Sequence, residues 1–132
     1  MMKLKIIIEK SSDSYSAYAE NVEGIYGHAD TVQEAKASAL EGLEMLVEDT
    51  PKQLPNWILE GKYEIEYKFD IESFLSYYKG IFTLSALEKL TGINQKQIQH
   101  YSSGLKKPRT EQRKKIEHSL HQLGNELLAI EF

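Results

Sequence analysis

The chain has 132 residues, of which 41% are hydrophobic, 27% charged and none cysteine. That composition is close to the globular average and excludes global disorder, while the lack of cysteine excludes a disulfide scaffold, a Cys-based zinc finger and a thiol nucleophile. The net charge of −4 is unevenly spread: residues 1–69 hold seven Lys/Arg against thirteen Asp/Glu, a balance of −6, and residues 70–132 hold nine against seven, a balance of +2.

Lys3 to Lys10 places Leu4, Ile6 and Ile8 on one face and predicts a strand. Ser11-Ser12-Asp13-Ser14 is turn chemistry, and Tyr15 to Ala19 is expected to fold back as a second strand. Asn21-Val22-Glu23-Gly24 is the next turn, with Ile25 to Ala29 a short third strand. The period then changes. Thr31 and Glu34 form a capping box, and Val32, Ala35, Ala39, Leu43 and Leu46 make the inner stripe of a helix reaching about Glu48. Asp49 to Asn56 contains Pro51 and Pro55 and is expected to be a loop, with Trp57 a core anchor beyond it. Tyr63, Ile65, Tyr67 and Phe69 alternate with Lys62, Glu64, Glu66 and Lys68, a strand. The expected fold class is α+β: a βββαβ domain over residues 1–69, then an all-α domain over 70–132.

In the second part Ile71, Phe74, Leu75 and Tyr78 mark a helix stopped by Gly80. Thr83 caps a second, with Leu84, Leu87 and Leu90 inward and Gly92 at its end. Asn94 caps a third, with Gln97 at the capping-box position, and Pro108 precedes a fourth carrying Ile116, Leu120 and Leu123. Two helices joined at a glycine that accepts a left-handed conformation predict a helix-turn-helix. Its second helix turns Gln95, Lys96, Gln99 and His100 outward. Glutamine pairs bidentately with adenine, and lysine reaches guanine or phosphate. Lys96 to Lys115 carries seven basic residues and one acid, Glu111. Lys106, Lys107 and Arg109 are thus placed to hold a DNA backbone, with Asn94 at the helix start completing the expected interface.

Gly92, Ile93, Ile98, Gly104 and Pro108 stand where the lambda-repressor-like (XRE-type) helix-turn-helix family has its pattern G-I-S-x-x-x-I-S-x-x-E-x-G-x-x-x-P, which this segment resembles. Asn94 replaces the usual Ser, and Glu88 a small Ala. Tyr15-Ser16-Ala17-Tyr18, Gly24 to Thr31, Glu34-Ala35 and the acidic helix resemble the front domain of HicB antitoxins, and with Lys68-Phe69-Asp70 and the following helices the likeness covers nearly the whole chain. The resemblance implies a partial ribonuclease-H-like domain that blocks a HicA-like, mRNA-cleaving toxin, and a second domain that binds operator DNA. Tyr15, Tyr18, Tyr26 and His28 are then the expected toxin contacts, set against a role in packing. The alternative is a free-standing helix-turn-helix regulator whose front domain takes a ligand or protein.

Enzymatic activity is not expected. Glu9, Glu64 and Glu66 alternate with lysines on solvated strand faces instead of converging as two-metal hydrolysis requires, and no serine shows a base-plus-acid setting. His118 and His121 share a helical face without an acidic cluster, so neither metal nor cofactor is expected. No apolar run spans a bilayer and none follows Met1-Met2-Lys3-Leu4-Lys5 to make a signal peptide, so a soluble, cytoplasmic protein with no membrane partner is expected. A homodimer or larger homo-oligomer is expected through Leu120, Leu123, Leu127, Leu128, Ile130 and Phe132, because one recognition helix reads only a few base pairs.

Overall fold

In the computed structural model, which describes all 132 residues, the chain is α+β: a four-stranded mixed sheet at the N-terminal end, followed by helices. It divides into two compact units, Met1–Ser73 and Phe74–Phe132.

The front unit runs β1 (Met2–Lys10), β2 (Tyr15–Ala19), β3 (Tyr26–Ala29), α1 (Val32–Asp49), a 3₁₀ turn (Pro51–Gln53), α2 (Asn56–Leu59) and β4 (Tyr63–Phe69). The sheet order is β3-β2-β1-β4. The β1–β2 and β2–β3 pairs are antiparallel, and β1 pairs with β4 in parallel. The chain crosses from one sheet edge at β3 to the other at β4, and α1 covers one face on the way. Leu4, Ile6, Ile8 and Ala17 from the sheet meet Val32, Ala35, Ala39 and Leu43 from α1, all buried. Gly27 makes this packing possible. A Cβ there would stand 2.3 Å from the backbone N of Ala39 and 2.7 Å from the carbonyl O of Ala35, so helix and strand approach backbone to backbone. Thr31 Oγ1 accepts from the N–H of Glu34 at 3.1 Å and starts α1.

Two sequence expectations are corrected here. The segment expected to be a loop holds the 3₁₀ turn, and α2 begins at Asn56, directly after Pro55, whose fixed φ suits a helix start. Trp57, on α2, is half-buried and meets the Tyr63 ring edge-on with centroids 6.0 Å apart. The front unit also extends past residue 69: Ser73 is buried and its Oγ accepts from the Lys10 N–H at 2.9 Å.

The division falls inside α3 (Ile71–Tyr77), after which come α4 (Leu84–Thr91), α5 (Gln95–Ser102) and α6 (Thr110–Leu128). Leu87, Ile93, Ile98, Tyr101 and Ile116 form the buried centre of α4, α5 and α6. The Tyr78 ring meets those of Phe74, Tyr77 and Phe82 in tilted or edge-on contacts, with centroids 4.8–6.2 Å apart. No helix is long and apolar enough to cross a membrane.

Candidate functional site

Two surfaces collect the residues of interest, one in each unit. In the back unit the surface is built by α4, the turn at Gly92 and α5. Thr83 Oγ1 accepts from the Ala86 N–H and starts α4, while Gly92, at φ +74°, ends it in the left-handed region that favours glycine. Thr91, which the sequence reading passed over, pins the turn. It is buried, its hydroxyl donates to the Leu87 carbonyl at 2.7 Å, and the same oxygen accepts from the Ile93 N–H at 3.1 Å. Asn94 Oδ1 accepts from the Lys96 N–H at 2.8 Å and caps α5. Gln97 does not complete a capping box: its Nε2 donates instead to the Tyr101 hydroxyl, one turn further along α5, at 2.9 Å.

Gln95, Lys96 and Gln99 are exposed on α5, opposite the buried Ile98 and Tyr101. His100 is half-buried. Its Nδ1 is enclosed without a hydrogen-bond partner. Gly104, again at positive φ, folds the chain back onto the end of α5, where the Lys106 N–H donates to the His100 carbonyl at 3.2 Å. Lys106, Lys107 and Arg109 follow, all exposed, and Arg109 is the residue from which α6 starts. The arrangement offers two exposed carboxamides and a lysine, flanked by three further cations. That is chemistry suited to base edges and phosphates together.

In the front unit the surface is the sheet face away from α1. Strand register decides which side chains share it. Tyr18 stands opposite Ile7 on one side and Tyr26 on the other, so Ile7, Tyr18 and Tyr26 form one cross-strand row, with Lys68 beyond Ile7. Ser16 and His28 form the neighbouring row with Glu9. Tyr15 is half-buried and alternates onto the opposite face with Ala17, on the side of α1. Of the four expected partner contacts, Tyr18, Tyr26 and His28 are therefore brought together and Tyr15 is not. Ile7 was missed because a lone isoleucine in an Ile-Ile-Ile run reads as core. An open depression at the end of the β2–β3 hairpin is lined by Tyr18, Glu20, Asn21, Val22, Ile25 and Tyr26.

Charges on this face are held pairwise. Lys3 and Glu66 bridge at 3.0 Å; that hydrogen bond and the opposite charge lower the Glu66 carboxyl and raise the Lys3 ammonium. The Tyr18 hydroxyl donates to Glu9 Oε1 at 2.9 Å, which raises the phenol above its ordinary range. Glu9 and Glu66 are thus engaged with different partners. No group of three or more His, Cys, Asp or Glu could hold a metal ion, and His118 and His121 are both exposed. His28 is exposed, and its Nε2 lies 2.7 Å from Ser14 Oγ, which is 2.7 Å from Ser11 Oγ. Ser14 is buried, and this chain of contacts ties the β1–β2 turn to β3.

No family model, curated protein or solved structure matches the chain significantly.

Proposed function

We propose that this chain is a HicB-like antitoxin, cytoplasmic and not an enzyme: its front unit binds and blocks a basic, RNA-cleaving HicA-like toxin, and its back unit is a helix-turn-helix that represses its own operon. The observation that carries the reading is the exposed stripe of Gln95, Lys96 and Gln99 on α5, followed by exposed Lys106, Lys107 and Arg109 in the segment between α5 and α6. In this reading α5 lies in the major groove, and the cations that follow it hold phosphates.

Replacing Gln99 by Ala should relax sequence preference by about 1–3 kcal/mol at one base pair. Replacing Lys106 or Lys107 by Ala should weaken binding to every duplex and reduce the salt slope by about one. Fluorescence anisotropy on specific and scrambled duplexes separates the two effects, and equal, salt-insensitive losses for both classes would sink the assignment.

The toxin half of the proposal draws on the acidic front unit and on the row Ile7, Tyr18 and Tyr26. The charge balance of −6 over residues 1–69 complements a partner that must be basic to hold RNA, which speeds encounter. The exposed Tyr26, beside the half-buried Tyr18 and Ile7, supplies the anchor. The test is co-expression with the short reading frame beside this gene. The full chain should relieve the growth arrest that the frame causes. Tyr26→Ala, at a residue 58% exposed, should weaken that rescue and leave the melting temperature unchanged. A neighbour that causes no arrest, or no rescue by the wild-type chain, would favour the free-standing regulator.

A further inference from the structure

Glu88 sits half-buried on α4, and its carboxylate reaches α5 at two points. Oε2 accepts from the backbone N–H of Gln95 at 2.8 Å, and Oε1 lies 3.4 Å from Nε2 of the Gln95 side chain. One carboxylate therefore holds the backbone and the carboxamide of the same residue. A carboxylate only accepts, so the amide must turn its NH₂ toward Glu88. That settles which end of the carboxamide is which. One amide hydrogen is engaged; the second hydrogen and Oε1 remain for a ligand. A donor and an acceptor side by side in fixed order are what bidentate pairing with adenine N7 and N6 requires. Gln99, one turn further along α5, has no such tether and must order its side chain on binding, at an entropic cost.

The same contact has an opposite effect on the backbone. The free N–H groups at a helix start are a natural phosphate cradle, but the Gln95 N–H is already taken by a negative charge. Glu88 thus gives up a phosphate contact and fixes a base-reading group, which favours specificity over general affinity.

We infer that Glu88 is a positioning residue for base readout: it locks the Gln95 carboxamide, and sequence preference at the base pair facing Gln95 depends on it although it touches no DNA. This rests on the DNA-reading role of α5 proposed above.

The test uses the full chain. A preferred duplex is selected from a randomised library with the wild-type protein. Anisotropy is then measured for the wild type, Glu88→Ala, Glu88→Gln, Gln95→Ala and the Glu88→Ala/Gln95→Ala double variant, on that duplex and on its single-base-pair variants. Gln95→Ala should lose about tenfold in preference at one base pair. Glu88→Ala should lose preference at the same base pair, by roughly threefold or more, and the double variant should be no worse than Gln95→Ala. Glu88→Gln keeps an acceptor without the charge and should fall between wild type and Glu88→Ala, which guards against a mere loss of helix stability. A Glu88→Ala variant that shifts affinity for every duplex by one factor, or a loss additive with Gln95→Ala, overturns the inference. So does a Gln95→Ala variant with unchanged preference. A wild-type chain that enriches no sequence overturns the DNA-reading role itself.

Discussion

Replacing Gly27 by Ala is expected to cost the front unit about 3 kcal/mol or more and to lower its melting temperature by more than about 10 °C. The added methyl would stand 2.3 Å from Ala39 N, 2.7 Å from Ala35 O and 2.8 Å from the carbonyl carbon of Ser38. All three atoms belong to the backbone of α1, so no rotamer change relieves the clash and the helix itself must lift. Gly42 stands one helical turn on, where an added Cβ would meet the Tyr26 carbonyl at 3.2 Å, so the strand is pressed against α1 at two places. Lifting α1 uncovers Ile6, Ile8 and Ala17, all buried beneath it. The damage belongs to the front unit: on the function proposed above, toxin neutralisation should fall with stability, while duplex binding by the back unit should persist. Calorimetry with anisotropy on the same preparation checks both. A Gly27→Ala protein that melts like the wild type would show that α1 does not sit on β3 as described.

The elements whose cause is local were legible in the sequence. Thr31, Thr83 and Asn94 announce helix starts because a short polar side chain next to an apolar stripe has one favourable use, and each accepts a backbone N–H of the first turn. The alternation in Tyr63–Phe69 reads as a strand for the same reason. What depended on distant parts of the chain was not legible. That β4 pairs in parallel with β1 follows from the crossover through α1, and nothing in Tyr63–Phe69 names its neighbour. The side on which a tyrosine falls depends on register, and a shift of one residue would send Tyr18 under the helix. The tether between Glu88 and Gln95 spans the turn at Gly92 and requires the two helices to cross; in sequence Glu88 is only a departure from a family pattern. The Ser14–His28 contact likewise needs β3 folded beside β2. Prolines misled at one place: Pro51 and Pro55 suggest a loop, yet each sits where a missing N–H costs nothing, at the start of the 3₁₀ turn and just before α2.

The double substitution Leu128→Glu/Phe132→Glu is expected to turn the protein into a monomer and to weaken operator binding by about 10²-fold or more. α6 buries Ile116 in its first half, but Leu127, Leu128, Ile130 and Phe132 are exposed at its end and just beyond it. In the single chain Leu128 is 86% and Phe132 116% exposed, so neither contributes to folding of the unit that carries it. Removing their apolar surface should leave the melting temperature of a monomer unchanged. Four large apolar side chains gathered in six residues form a patch of the kind that marks an interface. A two-fold arrangement would cover the same patch on both copies at once. The DNA argument is independent of the patch. On the DNA-reading role proposed for it, one α5 would read only a few base pairs, and useful affinity would need a second copy on an adjacent half-site. Joining the two copies converts the second contact into an intramolecular one, and the expected loss of affinity measures that gain. Sedimentation of wild type and double variant at micromolar concentration, with anisotropy on a duplex of two half-sites and on one half-site alone, separates the effects. The variant should match the wild type on the single half-site and lose only the advantage of the pair. A double variant that still sediments as a dimer, or that binds the paired duplex as tightly as the wild type, would move the interface elsewhere on the chain.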